Sequence, residues 1–314
     1  MAKIATREAY GKTLLEIGHD ERVIVLDADL SKSTKTDIFK KAYPERHFNM
    51  GIAEGNMMSV AAGLAASGKI VFASSFAMFA AIRAGEQIRN SICYPNLNVK
   101  ICATHSGVTV GEDGASHQAI EDIALMRAIP NMKVLCPCDE AETRFAIKAA
   151  YEIEGPVYVR LGRLAVEGLY DDNTSFEFGR GVTIKDGKDV TIVCTGLMVQ
   201  ESVRAAEILA EGGISARVID MHTIKPIDKE ILIKASKETG AIVTAEEHNI
   251  IGGLGSAVAE AVSAEAPCFI KYIGVNDKFG KSGKPADLMK MYNLTAEDIA
   301  EKAKEAIRLK SNER

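Results

Sequence analysis

The sequence predicts an α/β fold of two doubly wound domains, the first on a mostly parallel sheet and the second smaller. Three observations predict it. Short β-branched runs alternate with amphipathic stretches, the pattern of a parallel sheet covered by helices. A polar segment, residues 167–178 with Asp171-Asp172-Asn173-Thr174-Ser175 at its centre, follows neither a helical nor a strand period. The alternation then resumes at Asp189. The chain is therefore expected to divide into a domain over 1–166, a linker over 167–188 and a domain over 189–314.

In the first domain the expected strands are 23–28, 69–74, 97–104, 133–136 and 156–161. Helical patterns lie at 7–17, 54–66, 80–92, 120–127 and 140–151. The stretch 54–66 is rich in Ala, Met and Leu, good helix formers, and is expected to face a core on most sides. The second domain opens with a strand at Asp189-Val190-Thr191-Ile192-Val193-Cys194-Thr195-Gly196 and continues with a helix over 199–210. Strands at 216–220, 240–245 and 268–274, a helix after Gly255 and an amphipathic final helix over 296–310 complete it.

At 314 residues the chain is long enough to bury two cores, and 47% apolar with 26% charged residues is ordinary globular composition. The net charge of -5 and the lack of a dense basic stripe argue against nucleic acid as a partner. No run approaches the roughly 18 apolar residues of a membrane span, and the start, Met1-Ala2-Lys3-Ile4, carries no leader pattern. Six cysteines, mostly in apolar strand-like contexts, fit a reduced, cytoplasmic protein. Cys136-Pro137-Cys138 admits a metal or redox reading, but the intervening proline and the missing second pair favour a strand end.

Three clusters carry chemistry. The first is His47-Phe48-Asn49-Met50-Gly51-Ile52-Ala53-Glu54-Gly55-Asn56. Glu54 opens an apolar helix; a first-turn carboxylate suits the helix dipole, yet one facing a core demands a partner or a task. The second is Phe76, Phe79 and Ile82, three residues apart, which pack a core or offer a face to a heteroaromatic ring. The third, from Thr104 to Gln118, holds His105, Ser106, Asp113, Gly114 and His117 between a strand and a helix. That places it at the carboxyl ends of the strands, where open α/β sheets bind ligands. Its two histidines and acid match no standard metal-ligand spacing and fit acid–base or hydroxyl-binding work better.

Taken together these clusters resemble the second half of transketolase. Its landmarks occur in order: Ala5-Thr6-Arg7, Ala28-Asp29-Leu30, Gly51-Ile52-Ala53-Glu54, Phe76-x-x-Phe79, Gly111-Glu112-Asp113-Gly114 with His117, and Pro130-Asn131-Met132. The resemblance makes the first domain a pyrimidine-binding domain. It makes the second, with Glu246-Glu247-His248-Asn249 and Gly252-Gly253-Leu254-Gly255, that family's C-terminal domain. It implies thiamine diphosphate as cofactor and transfer of a two-carbon ketol unit from a ketose phosphate to an aldose phosphate. Glu54 is implied to bond the aminopyrimidine ring, Phe79 and Phe76 to stack on it, and Ile82, Asp29 and Leu30 to line its pocket. His117 and His105 are implied to bind hydroxyls and assist proton transfer, and Asp113 to read a hydroxyl configuration. Arg7, Ser33 and Arg163 match the family's phosphate ligands, with Arg160 a competitor.

Two departures are visible: Ile82 where many transketolases carry tyrosine, and Ser106 where an aspartate is common. The resemblance gives Gly252–Gly255 no nucleotide role and leaves His248 structural. The family's Gly-Asp-Gly segment and downstream Asn, which hold magnesium and the diphosphate, are not found in the sequence. The expectation is that a separate N-terminal subunit supplies them, with two copies of each chain in the assembly. A 1-deoxyxylulose-5-phosphate-synthase-like subunit and a non-catalytic assembly partner are the alternatives. His105 argues against the first, and the intact Glu54 and His117 against the second.

Overall fold

The computed structural model describes residues 3–171 and 174–312; Asp172 and Asn173 of the expected linker lie outside them. A seven-stranded sheet runs in the order Thr223–Lys225, Lys133–Leu135, Val157–Arg160, Val99–Thr104, Ile70–Phe76, Val23–Asp27 and His47–Asn49. Every neighbouring pair is parallel except the first. A five-stranded sheet follows the order Phe269–Val275, Ala241–Asn249, Val190–Cys194, Ala216–Asp220 and Val182–Lys185, with only the last strand antiparallel. Lys3–Ala5 and Ala165–Glu167 form a separate antiparallel pair.

Alternation within the strands builds two cores, because successive side chains leave a strand on opposite faces. Ile24, Leu26, Val71, Ala73, Ile101 and Ala103 pack on one face against Met57, Met58 and Ala61 of the helix Glu54–Ala66. Val23, Val25, Ile70, Phe72 and Cys102 pack on the other against Tyr10 and Leu14 of the helix Thr6–Ile17, and Ala146 and Ile147 of Glu140–Glu152. Both faces are covered, so the central strands Val23–Asp27 and Ile70–Phe76 are buried along their whole length.

Several expectations change. Helix Glu54–Ala66 buries one face only, through Glu54, Met57, Met58, Ala61, Ala62 and Ala65, and exposes Asn56, Ser59 and Gly63. Its apolar composition reflects small residues on the outer face as well as core contacts on the inner one. The pattern over 80–92 becomes two π-helical segments, Met78–Arg83 and Ile88–Cys93, flanking Gly85–Gln87. The segment expected to link the domains contains the strand Val182–Lys185. The domains also interlock. Thr223–Lys225, from the second, closes the edge of the first sheet, buries Ile224 in the first core, and brings Lys225 Nζ to the carbonyls of Arg127 and Ile129 at 2.8 and 2.6 Å. Among the described residues no helix is long and apolar enough to cross a membrane.

Candidate active site

Five adjacent parallel strands, from Val157–Arg160 to His47–Asn49, aim their carboxyl ends the same way. The expected site residues leave from those ends: Arg163, His105, Phe76, Asp29 with Leu30, and Glu54. His105 and Asp29 are held at φ 56° and 64°, a left-handed backbone that non-glycine residues seldom adopt and that clusters at functional sites.

Glu54 starts its helix with the side chain 1% exposed. Its Oε2 accepts from Arg83 Nη1 at 2.9 Å, and Ser75 Oγ lies 3.5 Å from Oε1. The buried carboxylate thus has a partner that the sequence reading missed, although Arg83 directly follows Ile82 in the first π-helical segment. The Arg83 guanidinium is half exposed and sits over the Phe79 ring, 4.3 Å from its centroid. Phe79 stacks on Phe76 with centroids 6.0 Å apart and planes 16° apart. Ile82 is half-buried against the first core.

The strand register explains the next layer. Phe76 lies opposite Thr104, so His105 stacks directly on the Phe76 ring at 3.8 Å. His117 meets the edges of Phe79 and Phe76 at 5.2 and 6.2 Å, and its Nδ1 lies 2.9 Å from Ser116 Oγ. A guanidinium only donates, so His105 Nε2, 3.3 Å from Arg7 Nη1, is the acceptor. Its Nδ1–H then donates to Thr104 Oγ1 at 2.9 Å. Burial, and then the charges of Arg7, Arg163 and His117, push the His105 pKa down to about 3, so the ring is neutral at neutral pH.

Arg7 donates to the Ser33 carbonyl at 2.9 Å, and its Nε is buried without a hydrogen-bond partner. Arg163 donates to the Val110 carbonyl and lies 3.5 Å from Glu112. Both guanidiniums act on His105, which brings Arg7, Ser33, Arg163 and His105 into one anion-seeking corner. Arg160 does not belong there. It is 4% exposed, fixed by Asp122 at 2.8 and 3.2 Å and by the carbonyls of Ala119 and Glu247. Asp113 is exposed at the end of the 3-10 segment Val108–Asp113. Asp29 is tied to Asn49, a second missed residue, whose Oδ1 accepts from Asp29 N at 3.0 Å and whose Nδ2 donates to Asp29 Oδ1 at 2.8 Å. The Leu30 N–H donates to the buried carboxylate of Asp27.

The glycines at 252–255 have a local explanation. The Glu246 carboxylate accepts from Leu254 N and Gly255 N at 2.6 and 2.8 Å, already occupying the anion position at the start of helix Leu254–Val262. His248 is buried and bonds the Asn249 carbonyl at 2.7 Å, a structural use. Cys136 and Cys138 are buried free thiols. Cys138, Glu142 and Asp220 are the one trio of potential ligands among the described residues. Their groups bond one another and their neighbours: Cys138 N donates to Glu142 Oε2 at 2.7 Å, and Cys138 Sγ and Tyr170 OH donate to Asp220 Oδ2 at 3.4 and 2.9 Å.

Residues 2–167 match the family "Transketolase, pyrimidine binding domain", and residues 179–299 match "Transketolase, C-terminal domain". A Methanocaldococcus jannaschii protein named for the C-terminal section of transketolase is 55% identical over 306 residues, covering 96% of each chain. A 6-deoxy-6-sulfo-D-fructose transketolase subunit of a Clostridium species is 41% identical, covering 97% of this chain and 95% of that one. A solved structure titled as a split gene transketolase, inactive beta4 tetramer, superposes with a TM-score of 0.90 at 57% identity over 98% of this chain and all of the other. The chain belongs to the transketolase family, of which it carries the pyrimidine-binding domain followed by the C-terminal domain.

Proposed function

We propose that this chain is the C-terminal subunit of a split, thiamine-diphosphate-dependent transketolase, active only with a separate N-terminal subunit, two copies of each forming the assembly. The observation that carries this is the convergence, at neighbouring strand ends, of a buried carboxylate, an aromatic wall, two histidines and a paired-arginine corner. The groups suit the pyrimidine half of the cofactor: a buried carboxylate for a ring nitrogen, beside the Phe79 ring over which the half-exposed Arg83 guanidinium lies. The Gly-Asp-Gly segment and downstream Asn with which the family holds magnesium and the diphosphate are not found in the sequence. A partner subunit is the natural source of the metal and the diphosphate grip. The beta4 tetramer of the similar solved protein is described as inactive, in keeping with that dependence.

Thiamine diphosphate, when bound, supplies the carbanion chemistry of two-carbon transfer. Glu54 would accept and return a proton at the pyrimidine ring nitrogen, and Phe79 would hold the ring in plane. Neutral His105 offers no proton to a substrate near pH 7, because its one N–H is spent on Thr104. Its part is to accept from Arg7 and pack the wall, which leaves His117 as the histidine free to exchange a proton with a sugar hydroxyl. Asp113, exposed on the same loop, would read hydroxyl configuration. Arg7, Ser33 and Arg163 would bind the terminal phosphate of ketose and aldose substrates, several directed donors meeting one dianion.

The test is co-purification with a candidate N-terminal subunit followed by a ketol-transfer assay on sugar phosphates. The complex should turn over with thiamine diphosphate and magnesium, and this chain alone should not; full activity of this chain alone would refute the split. Within the complex, Arg163→Ala should raise KM for phosphorylated sugars by about 10–100-fold, the loss of one charge-assisted contact. Unphosphorylated sugars should be nearly unaffected. Equal changes for both would remove Arg163 from the phosphate corner.

A further inference from the structure

The loop over residues 107–118 carries Asp113 and His117, and its backbone turns at three glycines with positive φ, Gly107, Gly111 and Gly114. Its tip, Glu112 and Asp113, is exposed, so its position is set from below. The second domain reaches it with one side chain in particular. Glu247, in strand Ala241–Asn249 and 5% exposed, accepts the Thr109 N–H at 2.5 Å through Oε1. The backbone lies so close on that carboxylate that a Cβ at Gly107 would come within 2.3 Å of its carbon. The strand's own backbone is pinned in turn. Arg160 Nη2 bonds the Glu247 carbonyl at 3.0 Å and the Ala119 carbonyl at 3.1 Å, while Gly107 N donates to that same Ala119 carbonyl at 2.8 Å. Gln118 closes the other side, donating to the carbonyls of Val108, Gly111 and, in the second domain, Lys281.

We propose that Glu247 is a positioning residue for the substrate loop: its buried carboxylate fixes the Thr109 end, and through it the placement of Asp113 and His117 against the aromatic wall. A carboxylate buried between domains is costly unless hydrogen bonding and an opposite charge compensate. The groups acting on it are the Thr109 N–H and Arg160, which favour its charge, and Asp122, which opposes it; burial pushes its pKa up to about 6. The second domain thereby becomes part of the site's geometry. The catalytic consequence rests on the ketol-transfer reading, whereas the anchoring itself does not.

The test uses Glu247→Ala and Glu247→Gln, read by hydrogen–deuterium exchange on the isolated chain and by kinetics in the reconstituted complex. Loss of one anchoring hydrogen bond should speed exchange of the 109–117 amides about tenfold in Glu247→Ala. Gln, whose side-chain carbonyl still accepts the Thr109 N–H, should restore most of the protection. In the complex, Glu247→Ala should raise KM for the sugar as well as lower kcat, and Gln should rescue both; a merely structural role would lower the active fraction without moving KM. If Glu247→Ala does not fold, Glu247→Asp keeps the charge but draws the carboxylate back from the Thr109 N–H. It should give the same local exchange. Unchanged exchange of 109–117 in a folded variant overturns the proposal. Absence of ketol transfer in the wild-type complex would sink the functional reading and leave the exchange result to decide the anchor.

Discussion

Replacing Glu54 with glutamine should remove most ketol transfer from the reconstituted complex, by about 10²–10⁴-fold, while the subunits still assemble. Glutamine keeps the volume of the side chain at a position 1% exposed, so the packing of Met57, Met58 and Ala61 beneath it is retained. Arg83 loses its ion partner but is 51% exposed, and water replaces the carboxylate there at little cost. Ser75 keeps an oxygen within reach. The amide loses one property: it cannot take a proton from the pyrimidine ring nitrogen and give it back. Size-exclusion chromatography of the mixed subunits, followed by turnover, separates the two effects. Near-normal turnover would mean that another carboxylate does this work.

The fold was legible wherever the apolar period was strong. Five strands of the first sheet, from Lys133–Leu135 to Val23–Asp27, and the helix Glu54–Ala66 stand where the apolar pattern placed them, the central strands because burial on both faces leaves a near-continuous apolar run; the edge strand His47–Asn49 was not expected. Helix Lys229–Thr239 was missed although its signals were present: Asp228 caps it through Ile231 N, and Gly240 ends it at φ 67°. Thr223–Lys225 was beyond reach, since its partner is an edge strand of the other domain and nothing local announces that pairing. In the site, chain-local clusters were readable, and contacts between clusters were not. That Phe76 carries His105 follows from a cross-strand register, and that Arg83 meets Glu54 follows from a π-helical turn that shifts the facing by one residue. The second domain looked chemically silent because Glu247 acts on a backbone N–H 138 residues away.

Asp122→Ala should destabilise the isolated chain by about 3–5 kcal/mol, measured as a fall in the denaturation midpoint, because it strands a buried guanidinium. Asp122 is fully buried and accepts Arg160 Nε at 2.8 Å and the Tyr158 hydroxyl at 2.7 Å. Burial alone would push its carboxyl up, and the Arg160 charge instead holds it below the ordinary range. With Asp122 removed, Arg160 keeps two carbonyl partners, those of Ala119 and Glu247, and only the Glu247 carboxylate, which forms no ion pair with it, offsets part of its charge. Replacing both partners, Asp122→Leu with Arg160→Met, should recover much of the loss, since the desolvation cost goes with the charges. A single-variant loss below about 1 kcal/mol would place the pair among weak surface contacts. Arg163→Ala, three residues on, should stay within about 0.5 kcal/mol of wild type, as exposed positions do. In Arg160-Leu161-Gly162-Arg163 the sequence shows two equivalent cations; strand Val157–Arg160 ends between them and separates a core ion pair from the residue proposed to bind substrate phosphate. The same pair holds the Ala119 carbonyl that receives Gly107, so damage at Asp122 should also speed exchange in the loop that Glu247 anchors.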